Sequence, residues 1–134
     1  MTSQSSSKSL RSPLAEARGL GSSKYGTEHW WHQRLSALAL IPLSIWFVIA
    51  VIAHLGADYA QFTAWLKGSP FSAIMMILTV AVTFHHAQSG VQVVIEDYVH
   101  AEWAKVASII AVKFLSFALA AACIFAVLKI SFGA

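Results

Sequence analysis

A pair of histidines, His85-His86, stands deep in an apolar stretch. Gly90 follows one helical turn on, and Asp97-Tyr98 close the segment. From residue 71 to residue 95 there is no Asp, Glu, Lys or Arg, so the chemistry here centres on the histidines, with Gln88, Ser89 and Gln92 close by. Polar side chains in such surroundings are costly and face a partner rather than lipid. An imidazole there ligates a metal, carries a proton or hydrogen-bonds a neighbouring helix; haem ligation and the helix-to-helix bond are the two main readings. His86 and Gly90 are four residues apart and share a helical face. A glycine beside a histidine lets a large flat ligand reach the backbone. The alternative is a small-residue contact between helices, which Ala87 and Ser89 also suit. His85 projects about 100° away from His86, and spacing leaves it open as the ligand.

Two further places invite chemistry. Arg34 stands where a long apolar run begins, and its guanidinium fork suits a carboxylate such as a haem propionate. It equally suits an anchor at a membrane surface. Tyr98 lies twelve residues after His86, about 18 Å along a helix. Its hydroxyl can hydrogen-bond a quinone carbonyl, with Asp97 orienting a neighbour or relaying protons. An aromatic belt residue and a helix-end charge are the alternatives. His29, His32 and His54 read as interfacial or packing residues, and Cys123, the single cysteine, as a small buried hydrophobe.

The composition dictates what must position these groups. Of 134 residues, 57% are hydrophobic and 11% charged, with mean hydropathy +0.66. Soluble domains carry roughly 45–50% apolar and about 25% charged residues. A chain this apolar cannot cover a soluble surface, which excludes a soluble enzyme, a disordered tail protein and a nucleic-acid-binding domain. The expected fold is an all-α membrane protein.

Three apolar runs predict three transmembrane helices, over 35–57, 71–95 and 106–128. Each has roughly the 20 residues that a bilayer requires. Pro42 lies inside the first, where neighbouring helices must resatisfy the freed carbonyl. Residues 58–67 read as a short loop with Tyr59 and Trp65 as interfacial anchors, and Gly68-Ser69-Pro70 as a helix start. Lys113 sits about two turns inside the third run, where it can snorkel to the headgroups. Residues 27–134 thus form a three-helix unit. Residues 1–26, rich in Ser, Lys, Arg and Gly, read as a disordered basic tail. Lys8, Arg11, Arg18, Lys24 and Arg34 against Glu16 and Glu28 place the N-terminus in the cytoplasm by the positive-inside rule.

The stretch His86 to Tyr98, HAQSGVQVVIEDY, followed by Val99-His100, resembles the small hydrophobic membrane anchor of succinate dehydrogenase, respiratory complex II. That family carries a second-helix histidine, a glycine four residues on and a terminal Asp-Tyr pair. Here these fall at His86, Gly90, Asp97 and Tyr98. Arg34-Leu35-Ser36-Ala37 is similar to the arginine-led opening of the family's first helix, and the likeness covers roughly residues 30–130. The resemblance implies that the chain pairs with a second membrane anchor, of cytochrome b type, to hold one haem b. His86 would be one axial ligand to the haem iron, Arg34 would face a propionate and Gly90 would admit the ring. Tyr98 and Asp97 would line the ubiquinone site, close to the iron–sulfur subunit, with a flavoprotein subunit beyond.

On this reading the chain oxidises nothing alone. It anchors an oxidoreductase of the tricarboxylic acid cycle and respiratory electron transport, with membrane lipid and no nucleic acid as partner. An anchor of fumarate reductase, or a non-redox helical membrane subunit, are the alternatives. The tail makes a poor transit peptide, which favours a bacterial inner membrane over a mitochondrial one.

Overall fold

The computed structural model describes residues 12–19 and 26–133. Among these the chain is all-helical: a single turn α1 (Pro13–Ala17), then α2 (Gly26–Ala53), α3 (Tyr59–Gly68), α4 (Pro70–Tyr98) and α5 (Glu102–Phe132). Helices α2, α4 and α5 are long and apolar enough to cross a membrane, as the three apolar runs predict. Most of the basic tail, including Lys8, Arg11 and Lys24, lies outside the described residues.

All three helices are longer than the expected spans. With 28, 29 and 31 residues, each is over 40 Å long at about 1.5 Å per residue, against about 30 Å of hydrocarbon. Helix α2 begins at Gly26, nine residues before the expected span, so the aromatic segment around Trp30 and Trp31 is helix. It ends at Ala53, four residues earlier than expected, in a turn where Gly56 adopts φ +84°. Helix α4 starts as its sequence signals: Ser69 is the N-cap, accepting from the Ser72 amide at 3.2 Å, and Pro70 opens the first turn.

The segment 58–67 is not a loop but most of α3. Asp58 accepts from the Gln61 amide at 2.8 Å, and the Gln61 side chain accepts from the Asp58 amide at 3.2 Å. This reciprocal cap, D-x-x-Q, is a sequence signature of a helix start. Helix α3 lies across the end of the bundle. Its Leu66 is fully buried against Ala73 of α4 and Val127 of α5, and Trp65 packs on His54 at 4.3 Å and stacks on Trp46 at 6.5 Å between ring centroids.

Helix α4 is the centre of the bundle. It packs along both α2 and α5, which flank it without their backbones adjoining. The buried side chains of the α2 and α4 spans are mostly small: Ser36 on α2, and Ser72, Ala73 and Ser89 on α4. Small residues let helix backbones approach where lipid offers no hydrophobic drive for association. The outer faces of α2 and α5 are rich in exposed Leu, Ile, Val and Phe. Cys123 belongs to this outer surface: it is exposed on α5 rather than buried.

Candidate functional site

The polar groups of α4 meet those of α2 at one level. Ser36 Oγ lies 2.9 Å from His86 Nδ1. Ser36 is 7% exposed, and its hydroxyl also donates to the Gln33 carbonyl at 3.0 Å, one turn back. His86 is half-buried. One ring nitrogen faces Ser36, and the other makes no hydrogen bond among the described residues.

The α2 side of this contact is a polar stripe that the apolar runs alone do not mark. His29, His32, Gln33 and Ser36 are spaced i, i+3, i+4, i+7, which is one helical face. That spacing is the available signal; a span begun at Leu35 hides it. The Nε2 of His29 and the Oε1 of Gln33 are buried without hydrogen-bond partners. Gln33 Nε2 stands opposite Gly90, 3.7 Å from where a Cβ would lie. That is an ordinary van der Waals distance, so the packing of α2 on α4 does not itself require glycine at 90.

His85 has different surroundings. It is exposed, and its ring meets His32 edge-on at 6.0 Å. It lines a cavity of about 350 Å³ between α2 and α4, with His32, Leu35 and Ser36. It also lines one of about 550 Å³ between α4 and α5, with Gln88, Lys113 and Ser116. Lys113 therefore faces a cavity that His85 shares.

The remaining expected site residues are spread out. Asp97 follows His86 by eleven residues, about three turns, and falls within about 20° of the same face. Tyr98 is the last residue of α4 and 77% exposed, about 120° round from His86. Neither Asp97 nor Tyr98 makes a side-chain hydrogen bond among the described residues. Arg34 is exposed and about 160° from Ser36 around α2, on the side away from α4. Its guanidinium lies over the Trp30 ring at 5.1 Å from the centroid. The structure thus brings together His86, Gly90 and the α2 stripe, and leaves Arg34 and Tyr98 apart from them. His54 packs as expected, its Nδ1 2.8 Å from the Ala50 carbonyl and its ring on Trp65.

The donor set fits one axial position of a haem. His86 is half-buried in an apolar helix with one ring nitrogen held and one unengaged, and Gly90, one turn on, meets only the end of the Gln33 side chain. Among the described residues no three His, Cys, Asp or Glu side chains converge on a site for a free ion.

A family model described as succinate dehydrogenase/fumarate reductase transmembrane subunit matches residues 8–120. The chain belongs to this family. It is 36% identical over 122 residues to the succinate dehydrogenase hydrophobic membrane anchor subunit of Paracoccus denitrificans, covering 91% of this chain and 93% of that one. It is 34% identical over 107 residues to the subunit of that name from Rickettsia bellii, covering 80% and 85%. A succinate dehydrogenase membrane anchor subunit from Reclinomonas americana is 28% identical over 95 residues, covering 69% and 79%. No solved structure matches the chain. Membership of the family makes the three long helices a membrane anchor, the non-catalytic part of an oxidoreductase.

Proposed function

We propose that this anchor serves a succinate:ubiquinone oxidoreductase, in which His86 is one axial ligand of a haem b shared with a second membrane anchor. The observation that carries the reading is the state of the His86 ring: half-buried at membrane depth, with one nitrogen on Ser36 and the other unengaged. When bound, the haem would supply a one-electron centre within the membrane. Gly90 would admit the ring to the backbone if the Gln33 side chain opposite it moves aside. Arg34 lies on the side of α2 away from α4, within reach of a partner chain, and would have to give up its contact with Trp30 and swing round α2 to face a propionate of a haem held by His86.

Tyr98 and Asp97 lie where α4 leaves the membrane. The exposed Tyr98 hydroxyl is available to donate to a ubiquinone carbonyl, and Asp97 to accept or pass a proton there. Succinate oxidation belongs to partner subunits with flavin and iron–sulfur centres, which would dock at the same end. The excess of basic residues before α2 supports an N-terminus on the cytoplasmic side of a bacterial inner membrane.

A reduced-minus-oxidised visible spectrum of the purified complex tests the haem reading. A b-type signal is expected, and its absence would leave an anchor without haem. The relatives' names favour succinate oxidation over the reverse. Rates of succinate oxidation and fumarate reduction in isolated membranes decide the direction.

A further inference from the structure

We infer that Ser36 is a positioning residue for His86: it fixes which ring nitrogen carries the proton and so tunes the donor strength of the other. The inference rests on the reading of His86 as an axial ligand. Proton counting leads to it. The Ser36 hydroxyl has one proton and lies within hydrogen-bond distance of two groups, the Gln33 carbonyl at 3.0 Å and His86 Nδ1 at 2.9 Å. The carbonyl can only accept. Both contacts are satisfied together when Ser36 donates to Gln33 and accepts from a protonated Nδ1. A neutral imidazole protonated at Nδ1 carries its lone pair on Nε2. Nε2 is the nitrogen with no partner, so this tautomer presents a ready donor.

Ser36 is well placed to hold that state. It is buried, so water competes little for the bond. It sits on α2, fifty residues away in sequence, so the ring orientation depends on the packing of α2 against α4. The hydroxyl is itself held by the helix backbone. A ligating histidine commonly has such a partner on its other nitrogen, which fixes the ring and raises its basicity. A more basic imidazole stabilises ferric over ferrous iron, so loss of the bond raises the midpoint potential.

The experiment compares complexes carrying Ser36→Ala, Ser36→Thr and His86→Ala with the wild type, all assembled with their partner chains. Readouts are haem content, midpoint potential and the low-temperature spectrum of the oxidised haem. Ser36→Ala should retain haem and shift the ferric-to-ferrous binding ratio by about tenfold, the low end for loss of an outer-shell partner, which is about 59 mV upward for one electron. Ser36→Thr keeps the hydroxyl and should hold the wild-type potential. If Ser36→Ala does not assemble, Ser36→Cys replaces it, being close in size but a weak acceptor. His86→Ala should lose haem. An unshifted potential in Ser36→Ala or Ser36→Cys, with haem lost in His86→Ala, overturns the role of Ser36 and leaves the ligand reading standing. Haem retained in His86→Ala, or absent from the wild type, overturns both.

Discussion

His85 and His86 are neighbours in the chain but meet different surroundings. His86 reaches Ser36 of α2 at 2.9 Å. His85 stands edge-on to His32 and opens onto the cavity that holds Lys113 and Gln88. A helix turns by about 100° per residue, so two successive side chains leave it in different directions. The doubled histidine therefore divides into a ring held at a helix contact and a ring open to the cavities on either side of α4.

This division makes the two positions separable. His86→Ala should abolish or strongly reduce the b-type haem signal of the purified complex, while His85→Ala should retain it. Pyridine haemochrome quantification per mole of assembled complex checks this. Retention in His86→Ala with loss in His85→Ala would move the ligand to the cavities that His85 lines.

Gly90→Ala separates packing from ligand approach. The added Cβ would meet only Gln33 Nε2, at 3.7 Å, and alanine gains roughly 0.5–1 kcal/mol over glycine inside a helix. Assembly and thermal stability of the complex prepared without haem should be unchanged or slightly improved. Haem content or the haem spectrum should change, because a ring seated against the backbone would meet the new methyl group. A normal spectrum and full haem content would show that no ligand approaches at Gly90.

How far the fold can be read from sequence depends on the kind of signal each element carries. The three long helices are legible because runs such as 71–95 without a charge leave no other solution in so short a chain. Their ends are less so: residues 26–34 continue α2 because nothing in GTEHWWHQR breaks a helix, although its polarity suggests an interface. Treating those residues as a belt hides the stripe of His29, His32, Gln33 and Ser36. The His86–Gly90 face is legible from periodicity alone. The contact between Ser36 and His86 is not, since it depends on how α2 rotates against α4, and hydrophobic patterning that is apolar nearly all round leaves that rotation unspecified. Helix α3 escapes notice for a local reason, a capping box at Asp58 and Gln61 that is easily passed over in a short polar stretch.

The capping box has its own test. Asp58→Ala removes the acceptor for the Gln61 amide and should cost about 1 kcal/mol of local helix stability. Leu66 still anchors the other end of α3 in the core, so assembly should survive. Amide hydrogen exchange at Gln61 should speed up about fivefold, as that loss of local stability implies, while exchange near Leu66 stays slow. Asp58→Asn keeps an acceptor and should exchange like the wild type. Equal rates at Gln61 in all three proteins would remove the cap from the account of α3.

Tyr98→Phe probes the end of α4. The side chain is 77% exposed and makes no hydrogen bond among the described residues, so removing the hydroxyl should leave the fold of this chain intact. If the hydroxyl donates to a quinone carbonyl, its loss removes one neutral hydrogen bond, worth roughly 0.5–1.5 kcal/mol net. That is about a two- to twelvefold loss in quinone affinity or turnover, and more if the bond tightens as negative charge develops on the carbonyl oxygen. Haem content should not change, because Tyr98 lies about 18 Å along the helix from His86 and about 120° around it. Succinate oxidation with an artificial acceptor that takes electrons upstream of quinone should persist, while ubiquinone reduction falls. That selective fall distinguishes a quinone contact from a general defect in assembly, which would depress both rates together. Wild-type ubiquinone reduction in an intact Tyr98→Phe complex would leave Tyr98 as an aromatic of the membrane surface and assign the quinone site to other groups.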